Sequence, residues 1–306
     1  MRDLPDAECA AVGSRSADAA AAFANRFGFA RAHASYEALV ADPEVDIVYI
    51  ASPHALHHAH ARLCLEHGKA VLCEKPLTLN AAQAHDLIQL SRARNLFLME
   101  AMWTRCLPAL VESRRLVVEQ SVIGTPRFLI ADFGFSKDFD PRHRLFDLTL
   151  GGGALLDVGV YLASLASLYF GQPATVAAQA RFGQSGVDED TALLFGYDEG
   201  RFAQLTASIA TATPQEATIF GPAGSIRLHA PWWKADRFTI ARTGGEAETI
   251  EAPYLGNGYT HEAMEAMRCL REGARESPLL PLDETAAIFE TLDQVRAAWG
   301  LRYPGE

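Results

Sequence analysis

The chain is 306 residues long, 49% hydrophobic and 21% charged, and its 27 Lys and Arg against 38 Asp and Glu give a formal net charge of −11. That length suffices for two cores with a cleft between them. The acidic balance excludes the clustered positive charge that a nucleic acid or an anionic membrane requires of a partner. No stretch approaches the ~20 apolar residues of a membrane span, and the N-terminal MRDLPDAE has no signal-peptide core. Five dispersed cysteines (Cys9, Cys64, Cys73, Cys106 and Cys269) form no C-x-x-C pair and fit reduced thiols. The expectation is a soluble, cytoplasmic, two-domain protein.

In the first hundred residues short apolar runs alternate with helical patterns, as in βαβ units around a parallel sheet. Residues 8–12 suit a strand, and the Ala-rich 16–27 a helix closed by Gly28. A short helix follows over 35–41. The nearly continuous apolar run 45–51 suits a strand buried on both faces. A helix over 56–67, a strand at 70–73, a helix capped by Asn80 and a strand at 96–99 complete the unit. Beyond Pro108 one helix leads into strand-like runs at 127–135, 175–182, 191–195, 202–209, 217–220 and 225–229. Strand following strand implies a mostly antiparallel sheet. A glycine-led helix at 152–170 and helices near 259–272 and 283–298 make this part α+β. The predicted division is a Rossmann-like dinucleotide-binding domain over 1–104 and a substrate-binding, oligomerising domain over 105–306.

Ligands of open α/β sheets bind at the carboxyl ends of the strands, so residues there are the candidates. Ser14 and Arg15 follow the first strand, where a hydroxyl and a guanidinium match the 2′-phosphate of NADP better than the free 2′-hydroxyl of NAD. A bland alternative makes Ser14 or Ser16 a helix cap. Ser52, Pro53, His54 and His57 follow the run 45–51. Five histidines fall within fourteen residues there, yet no acidic residue stands at a metal-ligand spacing, so no metal is assigned. Cys73-Glu74-Lys75-Pro76 ends the next strand and aims a lysine at the same edge. In the glycine-led helix Asp157 and Tyr161 are four apart and share a face. A tyrosine can pass a proton when a cation stands near it, and Lys75 is the obvious cation.

The ordered set S-P-H-x-x-H, C-E-K-P and G-G-G-x-L-x-D-x-G-x-Y resembles the Gfo/Idh/MocA oxidoreductases, from about Cys9 to the C-terminus. The run 98–105, LMEAMWTR, and a tyrosine at 161 resemble the branch of dimeric dihydrodiol dehydrogenases and NADP-dependent D-xylose 1-dehydrogenases. The resemblance implies a catalytic Lys75, Tyr161 as proton donor or acceptor, and Asp157 orienting the substrate. It makes Ser14 and Arg15 readers of the 2′-phosphate, places Ser52, Pro53, His54 and His57 along the nicotinamide, and sets Glu74 beside its ribose. Trp103, Arg105 and Arg181 become candidates for the substrate pocket, whose shape comes from loops 132–150 and 229–260. It further implies NADP as cofactor, a sugar or cyclic trans-diol as substrate, and a homodimer formed through the open sheet. A catalytically inactive or regulatory member that binds sugar or nucleotide is the alternative.

One departure stands out. The G-x-G-x-x-G turn that wraps a pyrophosphate is absent. The chain reads as beginning inside the first βαβ unit, short of it by roughly 30 residues. The strand ending near Val12 and the strand at 45–51 are then expected to lack their shared neighbour, and cofactor binding to be weak.

Overall fold

The computed structural model describes Leu4, residues 6–304 and Glu306. A parallel sheet comes first, in two pieces. In one, β1 (Ala11–Gly13) pairs with β2 (Arg31–His33) through α1 (Ala17–Phe27). Ser16 caps α1 by accepting from the Ala19 N–H at 3.3 Å, and Gly28 ends it at a φ of 78° that glycine adopts without strain. The short α2 (Tyr36–Val40) leads to the other piece, β3 (Ile47–Ile50), β4 (Ala70–Glu74) and β5 (Leu98–Ala101), joined by α3 (His54–Glu66) and α4 (Ala81–Arg94). β4 lies in the middle and is buried through Cys73, whereas β3 is an edge that leaves Tyr49 exposed. Among the described residues no strand joins β1 to β3. The three-residue β2 was not anticipated, and α3 starts at His54, two residues earlier than its apolar pattern suggested.

After α5 (Pro108–Arg114) and β6 (Phe128–Gly134) the chain reaches a π-helical turn, Leu155–Gly159, that runs into α6 (Val160–Phe170). One correction concerns this helical run. Leu148–Phe170 is long and apolar enough to cross a membrane, but 89% of its apolar window is buried inside the protein. It is a core helix, apolar on every side because protein surrounds it. Then come β7 (Thr175–Phe182), β8 (Asp188–Gly196), β9 (Phe202–Ser208), β10 (Ala217–Gly221), β11 (Gly224–Leu228), β12 (Arg237–Arg242) and β13 (Ala247–Glu251). They form one eight-stranded sheet with β6, in the order 13-12-11-10-6-9-8-7. Every pair is antiparallel except β6 with β9. β12 and β13 escaped the sequence reading, which placed a loop there; β13 is an exposed edge strand with one apolar residue turned partly inward.

The inner face of this sheet (Leu129, Ala131, Phe133, Leu205 and Ala207 among others) packs against the Leu155–Phe170 helix. The outer face carries Phe128, Ile130, Leu194, Phe202 and Phe220, of which Ile130 and Leu194 are 43% and 48% exposed. The last helices, α7 (Thr260–Arg271) and α8 (Leu282–Trp299), return to the first sheet. Ala266 and Cys269 of α7 pack on Ala70, Leu72, Phe97 and Met99, and Asp293 of α8 accepts from the Ala81 N–H at 2.9 Å, at the start of α4. Both sheets are thereby held so that the carboxyl ends of β3 and β4 face the start of the Leu155–Phe170 helix.

Candidate active site

Lys75 follows β4 directly, in a cis peptide with Pro76. Its loop is fixed from both sides: the Leu77 N–H donates to Glu100 Oε1 at 3.0 Å, and the Pro76 carbonyl lies 2.7 Å from His57 Nδ1. The Lys75 ammonium donates to the Asp157 carbonyl at 2.7 Å, stands 3.6 Å from Asp157 Oδ1, and lies 4.8 Å from the centre of the Tyr161 ring. The Tyr161 hydroxyl accepts from Trp103 Nε1 at 2.8 Å. Lys75, Asp157, Tyr161 and Trp103 therefore form one constellation across the two sheets.

The charges within it follow from burial and neighbours. Burial pushes the Asp157 carboxyl up, but the Lys75 and Arg144 cations outweigh it and hold the group down at about 2. Arg144 Nη1 donates to Asp157 Oδ1 at 2.7 Å. Burial drives the Tyr161 phenol well above its ordinary value, the Trp103 hydrogen bond opposing only in part. In His54, burial and the nearby Lys75 lower the pKa to about 3. Its ring is neutral, with Nδ1–H donating to the Gly151 carbonyl at 3.0 Å and a bare Nε2 facing Asp157 Oδ1 at 3.8 Å. His57 sits between the carbonyls of Pro76 and Ser52, each 2.7 Å away. Those carbonyls favour its charged form, yet burial is the larger effect and leaves its pKa lowered.

Around this centre stands an aromatic wall. Trp103 stacks on Tyr259 at 4.4 Å and meets Trp233 edge-on at 5.9 Å, while Phe133 lies parallel to Trp233 at 4.9 Å and edge-on to Tyr161 at 5.3 Å. Gly258, at φ 97°, is what lets the chain bring Tyr259 here, because a Cβ would stand 2.7 Å from the Trp103 ring. Phe133 and Tyr259 were not named from the sequence. The only local signal was the pair of glycines at 256 and 258.

The other candidates are distributed as follows. Glu74 accepts from the Tyr49 hydroxyl at the end of β3. Ser52 Oγ is 2.9 Å from His60 Nδ1. Ser14 and the exposed Arg15 lie at the carboxyl end of β1, and Arg15 is close enough to His60 to depress its pKa, behind burial and His57. The other histidines have partners of their own, His58 at 2.7 Å from Asp86 Oδ2 and His67 at 2.9 Å from the Leu63 carbonyl. Two arginines lie elsewhere. Arg105 is buried, bonded through Nε to Ser164 at 2.9 Å and through Nη2 to Glu284. Arg181 is on the outer strand β7, paired with Glu189 at 2.9 Å and with Asp190 at 2.5 Å. Neither is placed with Lys75. The residues at the carboxyl ends of β3 and β4, with Ser14 and Arg15 at the carboxyl end of β1, are the ones that could hold a dinucleotide. The glycine turn that a pyrophosphate needs between them is not among the described residues.

Comparison with known proteins bears on what such a site does. Residues 1–102 match the family model of the GFO/IDH/MocA oxidoreductases, an NAD-binding Rossmann fold, and residues 112–227 match the GFO/IDH/MocA C-terminal domain. The chain is 36% identical over 316 residues to trans-1,2-dihydrobenzene-1,2-diol dehydrogenase of Mus musculus, covering 99% of this chain and 93% of that protein. It is 35% identical to the Homo sapiens enzyme of the same name, with the same coverage. Among solved structures, KijD10, a 3-ketoreductase from Actinomadura kijaniata in complex with TDP-benzene and NADP, superposes with a TM-score of 0.80 at 28% identity, over 94% of this chain and 88% of that one. Aldose-aldose oxidoreductase from Caulobacter crescentus, at 22% identity and a TM-score of 0.85 over 96% and 90% of the two chains, shares the fold. The chain belongs to the Gfo/Idh/MocA oxidoreductase family, and its relatives include dihydrodiol dehydrogenases.

Proposed function

We propose that the protein is an NADP-dependent dehydrogenase acting on a hydroxyl-bearing carbon of a cyclic trans-diol or a sugar. The observation that carries this reading is the placement of one ammonium, Lys75 Nζ, against both Asp157 and the Tyr161 ring. When bound, the dinucleotide supplies hydride exchange at its nicotinamide ring. The chain's own residues handle the substrate oxygen and its proton. Tyr161, kept protonated by burial, donates to the oxygen of a carbonyl substrate. In the oxidising direction Tyr161 first gives up its own proton to solvent, Lys75 stabilises the phenolate so formed, and that phenolate takes the substrate's hydroxyl proton. Asp157 fixes the ammonium through two oxygens, and neutral His54 offers Nε2 as an acceptor beside it. The wall of Trp103, Phe133 and Trp233 fits a ring and keeps water from the reacting atoms.

The 2′-phosphate preference rests on Ser14 and Arg15 at the end of β1, which offer a hydroxyl and a guanidinium to a phosphate. Association into a homodimer through the outer sheet face is supported by its five aligned apolar side chains, which include the stacks of Phe128 on Phe202 and on Phe220. Four of the five unpaired cysteines are buried, which supports a reducing, cytoplasmic setting.

The test is turnover of trans-1,2-cyclohexanediol and D-xylose with millimolar NADP or NAD. Wild type turns over at least one of them and prefers NADP. Lys75→Ala and Tyr161→Phe each lower kcat by about 100-fold. Turnover within a few-fold of wild type in either variant overturns the assignment. NADPH binding, seen by its fluorescence, without turnover of any substrate favours the regulatory alternative.

A further inference from the structure

Arg144 is the one cation of the site that reaches it from solvent. Its side chain is 49% exposed, yet its Nη1 is pinned 2.7 Å from the buried Asp157 Oδ1. The pinning starts in the backbone. Leu145 and Phe146 are buried on either side of the turn, the Gly153 N–H donates to the Leu145 carbonyl at 2.9 Å, and the Gly152 N–H donates to the Asp147 carbonyl at 3.0 Å. A Cβ on Gly152 would stand 2.7 Å from the carbonyls of both Arg144 and Leu145. The triple glycine thus does more than start a helix: it lets the strap of residues 144–147 close onto that helix and sets the guanidinium over Asp157.

Asp157 Oδ1 consequently has Arg144 on one side at 2.7 Å and Lys75 on the other at 3.6 Å. One N–H of Arg144 is used there, and among the described residues its Nε and Nη2 have no protein acceptor. A guanidinium presents its donors as a flat fork that grips oxygens in pairs. We infer that Arg144 is a specificity-determining residue whose unused donors bind the oxygen on the carbon next to the reacting one, so that the site selects substrates with two vicinal oxygens. Lys75 and Tyr161 hold the reacting oxygen, and Arg144 holds its neighbour. The inference rests on the dehydrogenase reading and narrows its substrate to vicinal diols, cyclic or in a sugar. A compound with one isolated hydroxyl lacks the second grip.

The experiment compares trans-1,2-cyclohexanediol with cyclohexanol, using millimolar NADP, in wild type, Arg144→Ala, Arg144→Lys and Tyr161→Phe. Wild type is expected to favour the diol in kcat/KM. Arg144→Ala is expected to lower kcat/KM on both alcohols, because it also frees Asp157, but to lose about 10-fold more on the diol than on cyclohexanol, the extra loss falling mostly in KM. Arg144→Lys recovers part of the loss. Equal loss on both alcohols assigns Arg144 to holding Asp157 alone and overturns the inference, as does no loss on the diol. If Tyr161→Phe keeps its turnover, the dehydrogenase reading fails by itself, whatever Arg144 does. No turnover of either alcohol by wild type sinks both. Because Arg144 is exposed, its variants melt within about 3 °C of wild type, which keeps these outcomes separate from misfolding.

Discussion

Replacing Asp188 by asparagine takes one titration out of the foot of the helix that carries Asp157 and Tyr161. Asp188 Oδ2 accepts from the Leu155 N–H at 2.6 Å, while Oδ1 is buried with no partner. A carboxylate at a helix N-terminus is normally stabilised, but complete burial outweighs the hydrogen bonds and raises its pKa from 3.8 to about 7. The native protein therefore binds more protons here than the unfolded chain between about pH 4 and pH 7. Stability falls as pH rises through that window and levels off above the folded value. By linkage the penalty is about 2 kcal/mol at pH 5 and about 4 kcal/mol at pH 8. Asparagine keeps the shape and still accepts from Leu155 without titrating. The stability of Asp188→Asn relative to wild type should thus rise by about 2 kcal/mol from pH 5 to pH 8, read by urea unfolding of both proteins at each pH. Taking the difference cancels Glu100, another buried carboxyl raised to about 7, which is present in both. A difference that stays flat within about 0.5 kcal/mol refutes the assignment of a protonated Asp188.

Gly153→Ala acts on the same turn. Gly153 sits at φ 120° and a Cβ would overlap Asp188 Oδ1, so urea unfolding should show a loss of about 3 kcal/mol. Arg105→Met breaks a pair in which the arginine side chain is 3% exposed and Glu284 27% exposed. Since Glu284 regains water, a double-mutant cycle with Glu284→Gln should give a coupling of about 2 kcal/mol, and zero coupling would make the pair a bystander. Ile130→Glu sets a charge amid the outer-face aromatics. On the proposed pairing through this face, sedimentation should move from dimer to monomer with kcat nearly unchanged, and an unaltered sedimentation coefficient would refute that pairing.

What was legible in the sequence was what depends on local period and on punctuation by Gly, Pro and capping residues. Strand β7 falls on its expected bounds because residues 175–182 alternate, and Asn80 caps α4 through the Gln83 N–H as its residue type suggests. β2 and β13 were not legible: the one is three residues long, and the other owes its pairing to β12 rather than to apolar residues of its own. The arginines show the same limit at the level of the site. Trp103 and Arg105 are two apart and both meet the Leu155–Phe170 helix, but they meet it one turn apart. Trp103 reaches Tyr161, beside Lys75, while Arg105 reaches Ser164 and turns back to Glu284. Spacing along the chain separates the two directions and says nothing of what waits at the end of each. Arg144 stands in the opposite case. Its neighbours in sequence, Arg142 and His143, carry the same polar signal, and only the closure of the 144–147 strap on Gly152 and Gly153 selects Arg144 to face Asp157. The site's lysine, tyrosine and aspartate could be found from motif and helix period. Its arginine could be placed only in the pocket loop 132–150 together with Arg142 and His143, because a non-local backbone contact chooses among the three.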